Sequence, residues 1–516
     1  MNNNGVGSWL HRRRIKSGNA TALVSGEQTL SYAALAERTD RLANALKDRG
    51  VSKGDRVGYL GENHPSFVET FFACGLLGAI FVPLNTRLAA PELQFQLQDS
   101  GARLLINAGA LDAVASASVT DTVVTHRLVV APDGGTDSSA VELPTGVERY
   151  GAVIAGAAAT PLDETVTLDD GAMILYTSGT TGKPKGALLT HGNITWNCIN
   201  TVVDMDLNRN DVALMISPLF HVASLDMGLL PMLLKGATVV LESKFDAGRV
   251  LELVGRHKIT TLNGVPTTFQ MLCDHPGWST ADLSSLDKLT CGGSAVPQRV
   301  LDAYEERGIG FTSCYGMTET APGATMLPVS RSRDKAGSAG LPHFFTDVRI
   351  ADPMGGLAAL GTVGEIQISG PNVIKEYWNR PEATADSYAD SSWFRSGDMG
   401  HQDDEGFLFV SDRIKDMIIS GGENIYPAEV EAAIAELAAV GSVAVIGVSD
   451  DKWGEVPRAI VTLREGCFLT EQELRSHLEG RLARYKIPKS VVFVEEMPRT
   501  ASGKIRKMEL RKQFAQ

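Results

Sequence analysis

At 516 residues the chain exceeds the size at which a single hydrophobic core keeps growing, so two or more domains are expected. Its 43% hydrophobic and 21% charged residues are ordinary for a soluble globular protein. A net charge of -13 argues against nucleic acid as the main partner, since binding a phosphate backbone needs a positive surface; a local basic pocket for one nucleotide stays open.

In chain order, Arg12, Arg13 and Arg14 are not followed by an apolar core, which argues against a secretory signal, and the triplet reads as a solvated helix face. Residues 31–49 carry Leu35, Leu42 and Leu46 at helical spacing, with Gly50 as the stop. A strand is expected over 57–60, a mostly buried helix over 67–77 and a buried strand over 79–84. The apolar run 71–84 is too short to span a bilayer and contains Gly75, Gly78 and Pro83, so no integral membrane segment is expected. The scattered cysteines form no C-x-x-C pair, which indicates neither a disulfide framework nor a zinc site, and a reducing cytoplasm is the expected setting. Residues 131–147 read as a surface loop and the alanine-rich run 152–160 as a connector. Alternating helices and strands up to about residue 300 point to a layered α/β architecture with largely parallel sheets.

The most informative stretch is 176–191, YTSGTTGKPKGALLTH, set between two apolar runs that read as buried strands. Gly179, Gly182 and Gly186 let backbone amides approach an anion; Thr177, Ser178, Thr180 and Thr181 add hydroxyls, and Lys183 and Lys185 add charge. This is equipment for a polyphosphate. It is not the Walker loop, because only two residues separate Gly179 from Gly182 and Pro184 follows Lys183.

Further along, Phe220-His221 follows a buried strand, and Gly264-Val265-Pro266 and Cys291-Gly292-Gly293-Ser294 mark strand-to-loop breaks. In Tyr315-Gly316-Met317-Thr318-Glu319-Thr320, a tyrosine beside a glycine can lie flat on a purine, and Thr and Glu are suitable oxygen ligands for Mg2+. Asp398 is a carboxylate able to accept from both ribose hydroxyls, although a turn aspartate is the plainer reading. The texture changes after Asp412: a helix opened by Pro427, strands near 442–448 and 459–463, a capping box at Thr470–Glu473 and a strand near 491–494 make a compact α/β domain. The expected domains are therefore 1–412 and 413–516. Lys504 stands in a Gly-containing loop close to the C-terminus.

Together these motifs resemble the adenylate-forming superfamily of acyl-CoA synthetases, luciferases and peptide-synthetase adenylation domains, over the whole chain. The resemblance implies a large nucleotide-binding domain and a small mobile C-terminal one. It implies ATP, CoA and Mg2+, with ATP held by Thr177, Ser178, Gly179, Thr180, Thr181, Gly182, Lys185, Ser294, Tyr315, Gly316, Thr318, Asp398 and Arg413. Glu319 and Thr177 are the implied metal ligands. Lys504, His221 and Glu319 are the implied catalytic residues, and Lys415 the hinge. The implied acid pocket is His221, Ala223, Met227, Thr290 and Gly293, and the CoA channel Gly421, Gly422, Glu423 and Trp453.

The stretches Asn63-His64-Pro65, Thr190-His191-Gly192-Asn193 and Thr195-Trp196-Asn197-Cys198 are similar to bacterial feruloyl-CoA synthetases, which implies a hydroxycinnamate-type acid. A medium- or long-chain fatty acid remains the alternative, and a non-catalytic AMP-binding module the alternative of another class. His221, where amino-acid adenylation domains place an aspartate nearby, disfavours an amino-acid substrate. A luciferase-like oxygenase shares every motif. Monomer and homodimer are both open.

Overall fold

The computed structural model describes residues 2–131, 143–177, 184–292, 296, 298–390, 392–414, 416–420, 423–450, 452–479, 481–500 and 504–515. They fall into two compact units: Met1–Asp334 with Pro342–Asp347 and Ser369–Tyr388, and Lys335–Leu341 with Val348–Ile368 and Ala389–Gln516. The expected boundary at 412/413 lies inside the second unit. The reason is strand pairing: Phe394–Gln402 and Leu408–Arg413 are adjacent in one antiparallel sheet with Gly364–Ser369.

The first unit contains two large sheets. One runs, in spatial order, Gly323–Leu327, Phe311–Gly316, Lys288–Gly292, Thr261–Gly264, Val212–Met215, Thr238–Leu241, Thr21–Ser25 and Gln28–Ser31; its central pairings are parallel. The other runs Glu376–Tyr377, Lys185–Thr190, Gly171–Thr177, Ile80–Leu84, Arg56–Leu60, Leu104–Ala108, His126–Val130 and Val147–Arg149. It is parallel from Ile80–Leu84 outward and antiparallel where the central glycine-rich stretch returns. Parallel strands buried on both faces require continuous apolar runs, which is how Ile80–Leu84 reads, with every residue buried.

Helix Tyr32–Asp48 starts where expected, with the Ser31 side chain accepting from the Ala34 amide, an N-cap worth about 1 kcal/mol. Helix Pro65–Leu77 is buried along its whole length, and Phe67 and Phe71 pack edge-to-face on Phe81 at 5.1 and 5.7 Å. Its one charge, Glu69, is paired: Arg38 Nε donates to it at 2.5 Å and the Tyr150 hydroxyl at 2.5 Å. That contact also orders a stretch expected to be only a connector. The alanine-rich connector begins as a helix, Tyr150–Gly156, because Tyr150 is anchored on Glu69 while Val153 and Ile154 are buried. The arginine triplet is also not simply solvated. Arg13 Nε donates to the Leu234 carbonyl at the end of helix Leu230–Lys235, and Arg14 pairs with buried Asp40.

In the second unit, Val440–Asp450 and Gly454–Leu463 form a long antiparallel pair, joined by Ile418–Ser420, Glu423–Ile425 and, in parallel, Ser490–Phe493. Helix Pro427–Ala435 lays Val430 and Ile434 on this sheet, and Thr470 and Glu473 make the expected capping box for Glu471–Leu478. No helix among the described residues is long and apolar enough to cross a membrane.

Candidate active site

Several expected site residues lie outside the described residues: Ser178, Gly179, Thr180, Thr181, Gly182 and Lys183 of the central loop, Gly293 and Ser294, Lys415, Gly421 and Gly422, as does most of the expected 131–147 loop. The flanks of the central loop are described. Strands Gly171–Thr177 and Lys185–Thr190 pair with Thr177 opposite Lys185, and Thr177 Oγ1 donates to the Lys185 carbonyl at 3.5 Å. Thr177 and Lys185 thus flank the loop as register partners.

Gly186 is also required by packing. It lies within the second strand, and a Cβ there would meet Ile174 Cγ2 at 2.7 Å and Trp378 Cβ at 3.4 Å. The close neighbour is strand Glu376–Tyr377, which adds to the outer edge of Lys185–Thr190 with Tyr377 opposite Ala187. This places Lys185 Nζ 5.4 Å from the centre of the Tyr377 ring, while the Tyr377 hydroxyl donates to Glu319 Oε1 at 2.8 Å. Burial, reinforced by the Glu319 carboxylate, pushes the Tyr377 hydroxyl up, so it stays a donor. Thr177, Lys185 and Glu319 are thereby linked through Tyr377, a residue the sequence reading did not select.

Glu319 and Thr318 sit on one 3-10 turn, Thr318–Thr320, just after strand Phe311–Gly316. The turn is splinted from both sides. A Cβ on Gly316 would lie 1.6 Å from the Pro322 carbonyl oxygen, so no side chain fits. Asn372 Nδ2 donates to the Thr320 and Gly323 carbonyls, both at 2.7 Å, and Asn197 Oδ1 accepts from the Gly323 amide at 3.0 Å. Both asparagines are fully buried. Asn193, Asn197 and Asn200 share one face of helix His191–Asp204, and Asn193 Nδ2 donates to the Pro371 and Val373 carbonyls at 2.9 and 2.8 Å. Their spacing within a mostly apolar helix was the available sequence signal; for Tyr377 it was the aromatic pair Tyr377-Trp378 in a polar stretch.

The described residues expected to line an acid pocket come from two parts of the chain. His221 precedes the short helix Val222–Ser224, which runs into a π-turn, Leu225–Leu229; the His221 ring packs on Phe220 at 4.8 Å. Met227 and Thr290 are buried, His221 is half-buried and Ala223 is exposed. Thr290 lies on strand Lys288–Gly292, its hydroxyl 3.6 Å from Met205 Sδ.

In the second unit Asp398 and Arg413 are register partners on adjacent strands, with Arg413 Nε 3.3 Å from Asp398 Oδ1. Asp398 is a strand residue, not a turn residue: it is buried within Phe394–Gln402, and its amide donates to Ser396 Oγ at 3.0 Å. Ser420 is the register partner of Glu423 on one side and of Gly454 on the other, which brings Glu423 and Trp453 to the same end of one sheet. Trp453 is 41% exposed, with Lys452 Nζ 4.9 Å from its ring centre. Lys504 is exposed; its carbonyl accepts from the Thr500 amide at 2.7 Å, and Arg499 and Ile505 form a bridge.

The chain matches the AMP-binding enzyme family over residues 10–378 and the AMP-binding enzyme C-terminal domain over residues 429–504. It is 49% identical to a feruloyl-CoA synthase of an Amycolatopsis species, with all of both chains covered. It is 42% identical to an indoleacetate–CoA ligase of Aromatoleum aromaticum, covering 99% of this chain and 98% of that one. ATP-bound MatB of Rhodopseudomonas palustris superposes with a TM-score of 0.91 at 30% identity, over 99% of each chain. The chain therefore belongs to the AMP-binding enzyme family, as an AMP-forming acid–thiol ligase that takes ATP and CoA.

Proposed function

We propose that the acid is a hydroxycinnamate-type aromatic acid such as ferulate. The observation that carries this reading is the 49% identity to a feruloyl-CoA synthase across the full length of both chains. In the first step the acid carboxylate attacks the α-phosphorus of ATP, the bond to the bridging oxygen breaks and pyrophosphate leaves, giving the acyl-adenylate. In the second, the CoA thiol sulfur attacks the acyl carbonyl and AMP leaves.

In this reading Thr177, Lys185 and the loop Ser178–Gly182 hold the departing pyrophosphate. Tyr315, Gly316 and Ser294 border the adenine, and Asp398 and Arg413 the ribose. Glu319 and Thr177 are hard oxygen donors of the kind Mg2+ takes, and the Tyr377 hydroxyl fixes the Glu319 carboxylate for that use. When bound there, the ion neutralises phosphate charge. Lys504 bridges the two anions that meet at the α-phosphate, a contact worth about 100- to 1000-fold in rate. Residues 413–516 then turn about Lys415, withdraw Lys504 and bring Gly421, Gly422, Glu423 and Trp453 to the thiol. The proposed setting is the cytoplasm.

Pyrophosphate release with ferulate, p-coumarate, benzoate, octanoate and palmitate, with and without CoA, tests the substrate. The expected order places ferulate and p-coumarate highest in kcat/KM. Preference for octanoate or palmitate contradicts it.

A further inference from the structure

Two polar side chains beside the acid-pocket residues are buried without a hydrogen-bond partner among the described residues. They are Asp226, through both carboxyl oxygens, and Asn263, through both its amide nitrogen and its carbonyl oxygen. Asp226 is 0% exposed and lies on the π-turn Leu225–Leu229, next to Met227. Asn263 lies on strand Thr261–Gly264 as the register partner of Thr290, so the two side chains leave the same face of the sheet. That face meets the π-turn directly: a Cβ on Gly228 would lie 2.8 Å from Met215 Sδ and 3.2 Å from Asn263 Nδ2. Asn263 thus faces the π-turn that carries Asp226.

The rest of the first unit treats buried acids differently. Glu69 is held by Arg38 and Tyr150, and Asp40 by His11 and Arg14. The backbone of Asp226 is pinned as well, its carbonyl accepting from Asn197 Nδ2 at 2.8 Å, yet its side chain is left over. Leaving buried polar groups unmatched costs stability, and such groups in a native fold call for a function. Burial pushes the Asp226 carboxyl well above the usual carboxylate range, toward the protonated form, which is a donor and an acceptor at once.

Resting on the aromatic-acid reading above, we propose that Asp226 and Asn263 are specificity-determining residues that hydrogen-bond a ring hydroxyl of the acid. A phenol donates one hydrogen bond and accepts another, and this pair supplies groups for both. An alkyl chain or an unsubstituted ring leaves the pair unmatched, so the pocket rejects such acids by penalty rather than by lack of room.

The test compares kcat/KM for p-coumarate and cinnamate, which differ only in the ring hydroxyl, in the wild type and in Asp226→Leu, Asn263→Leu and Asp226→Asn. The wild type should prefer p-coumarate by about tenfold to hundredfold, and each leucine variant should bring the ratio within about threefold of unity. Asp226→Asn, which keeps donor and acceptor, should retain most of the preference. A ratio taken on one preparation does not depend on the fraction folded. Equal use of the two acids by the wild type, or an unchanged ratio in both leucine variants, overturns the assignment. Turnover of octanoate with neither ferulate nor p-coumarate overturns the aromatic-acid reading itself, a result distinct from the other two.

Discussion

The two units hold their site residues in contrasting ways. In the first, Glu319 is fixed by Tyr377, its turn by Asn197 and Asn372, and Thr177 and Lys185 by the strand register. In the second, Asp398 is buried in a sheet, but Lys504, Glu423 and Trp453 are on exposed edges and turns. A group that must meet developing charge at one fixed point benefits from a braced support, whereas groups that serve different steps in turn benefit from a solvent-facing mount.

Breaking the braced side should cost more than removing the exposed tryptophan. Gly316→Ala drives a methyl against the Pro322 carbonyl, displaces the turn bearing Thr318 and Glu319, and should lower adenylate formation by about 100-fold, read as pyrophosphate release. Tyr377→Phe removes one hydrogen bond to a carboxylate and should lower kcat/KM for ATP about tenfold, with a raised Mg2+ requirement in a metal titration. On the exposed side, Trp453→Ala should raise the KM for CoA about fivefold while pyrophosphate release without CoA is unchanged, as expected for loss of one stacking surface.

The smallest effect is on stability. Burial raises the folded Asp226 carboxyl above its unfolded range, so the stability it contributes is full below the ordinary carboxyl range and is lost as pH rises from there toward the raised folded value. Asp226→Asn should therefore raise the urea midpoint, by more at pH 8 than at pH 5, with a gain on the order of 1 kcal/mol. His191 acts on the acid side. Burial pushes its imidazole down to about 4, so the stability it contributes when neutral is lost as pH falls from about 6.5 toward 4.

What could be read from the sequence followed the range of the interactions involved. Helix Tyr32–Asp48, strand Ile80–Leu84 and the Thr470–Glu473 box are specified by neighbours within a few residues, and the sequence located them to within a residue or two. The splints were hidden because their partners are distant: Tyr377 lies 58 residues from Glu319, and Asn197 lies 126 from Gly323. Helix Tyr150–Gly156 was missed for the same reason, since its anchor is Glu69, 81 residues away. Asp226 and Asn263 carried no signal in spacing at all. Their interest comes from burial without a partner, a property only the folded chain has.

In the proposed mechanism Lys504 serves one chemical step and the first unit serves both. Lys504→Ala, assayed separately for pyrophosphate release from ferulate plus ATP and for thioester formation from supplied feruloyl-adenylate plus CoA, addresses this directly. The expected result is a loss of about 100- to 1000-fold in the first half-reaction with the second retained. A folded variant that loses both half-reactions, or neither, contradicts it.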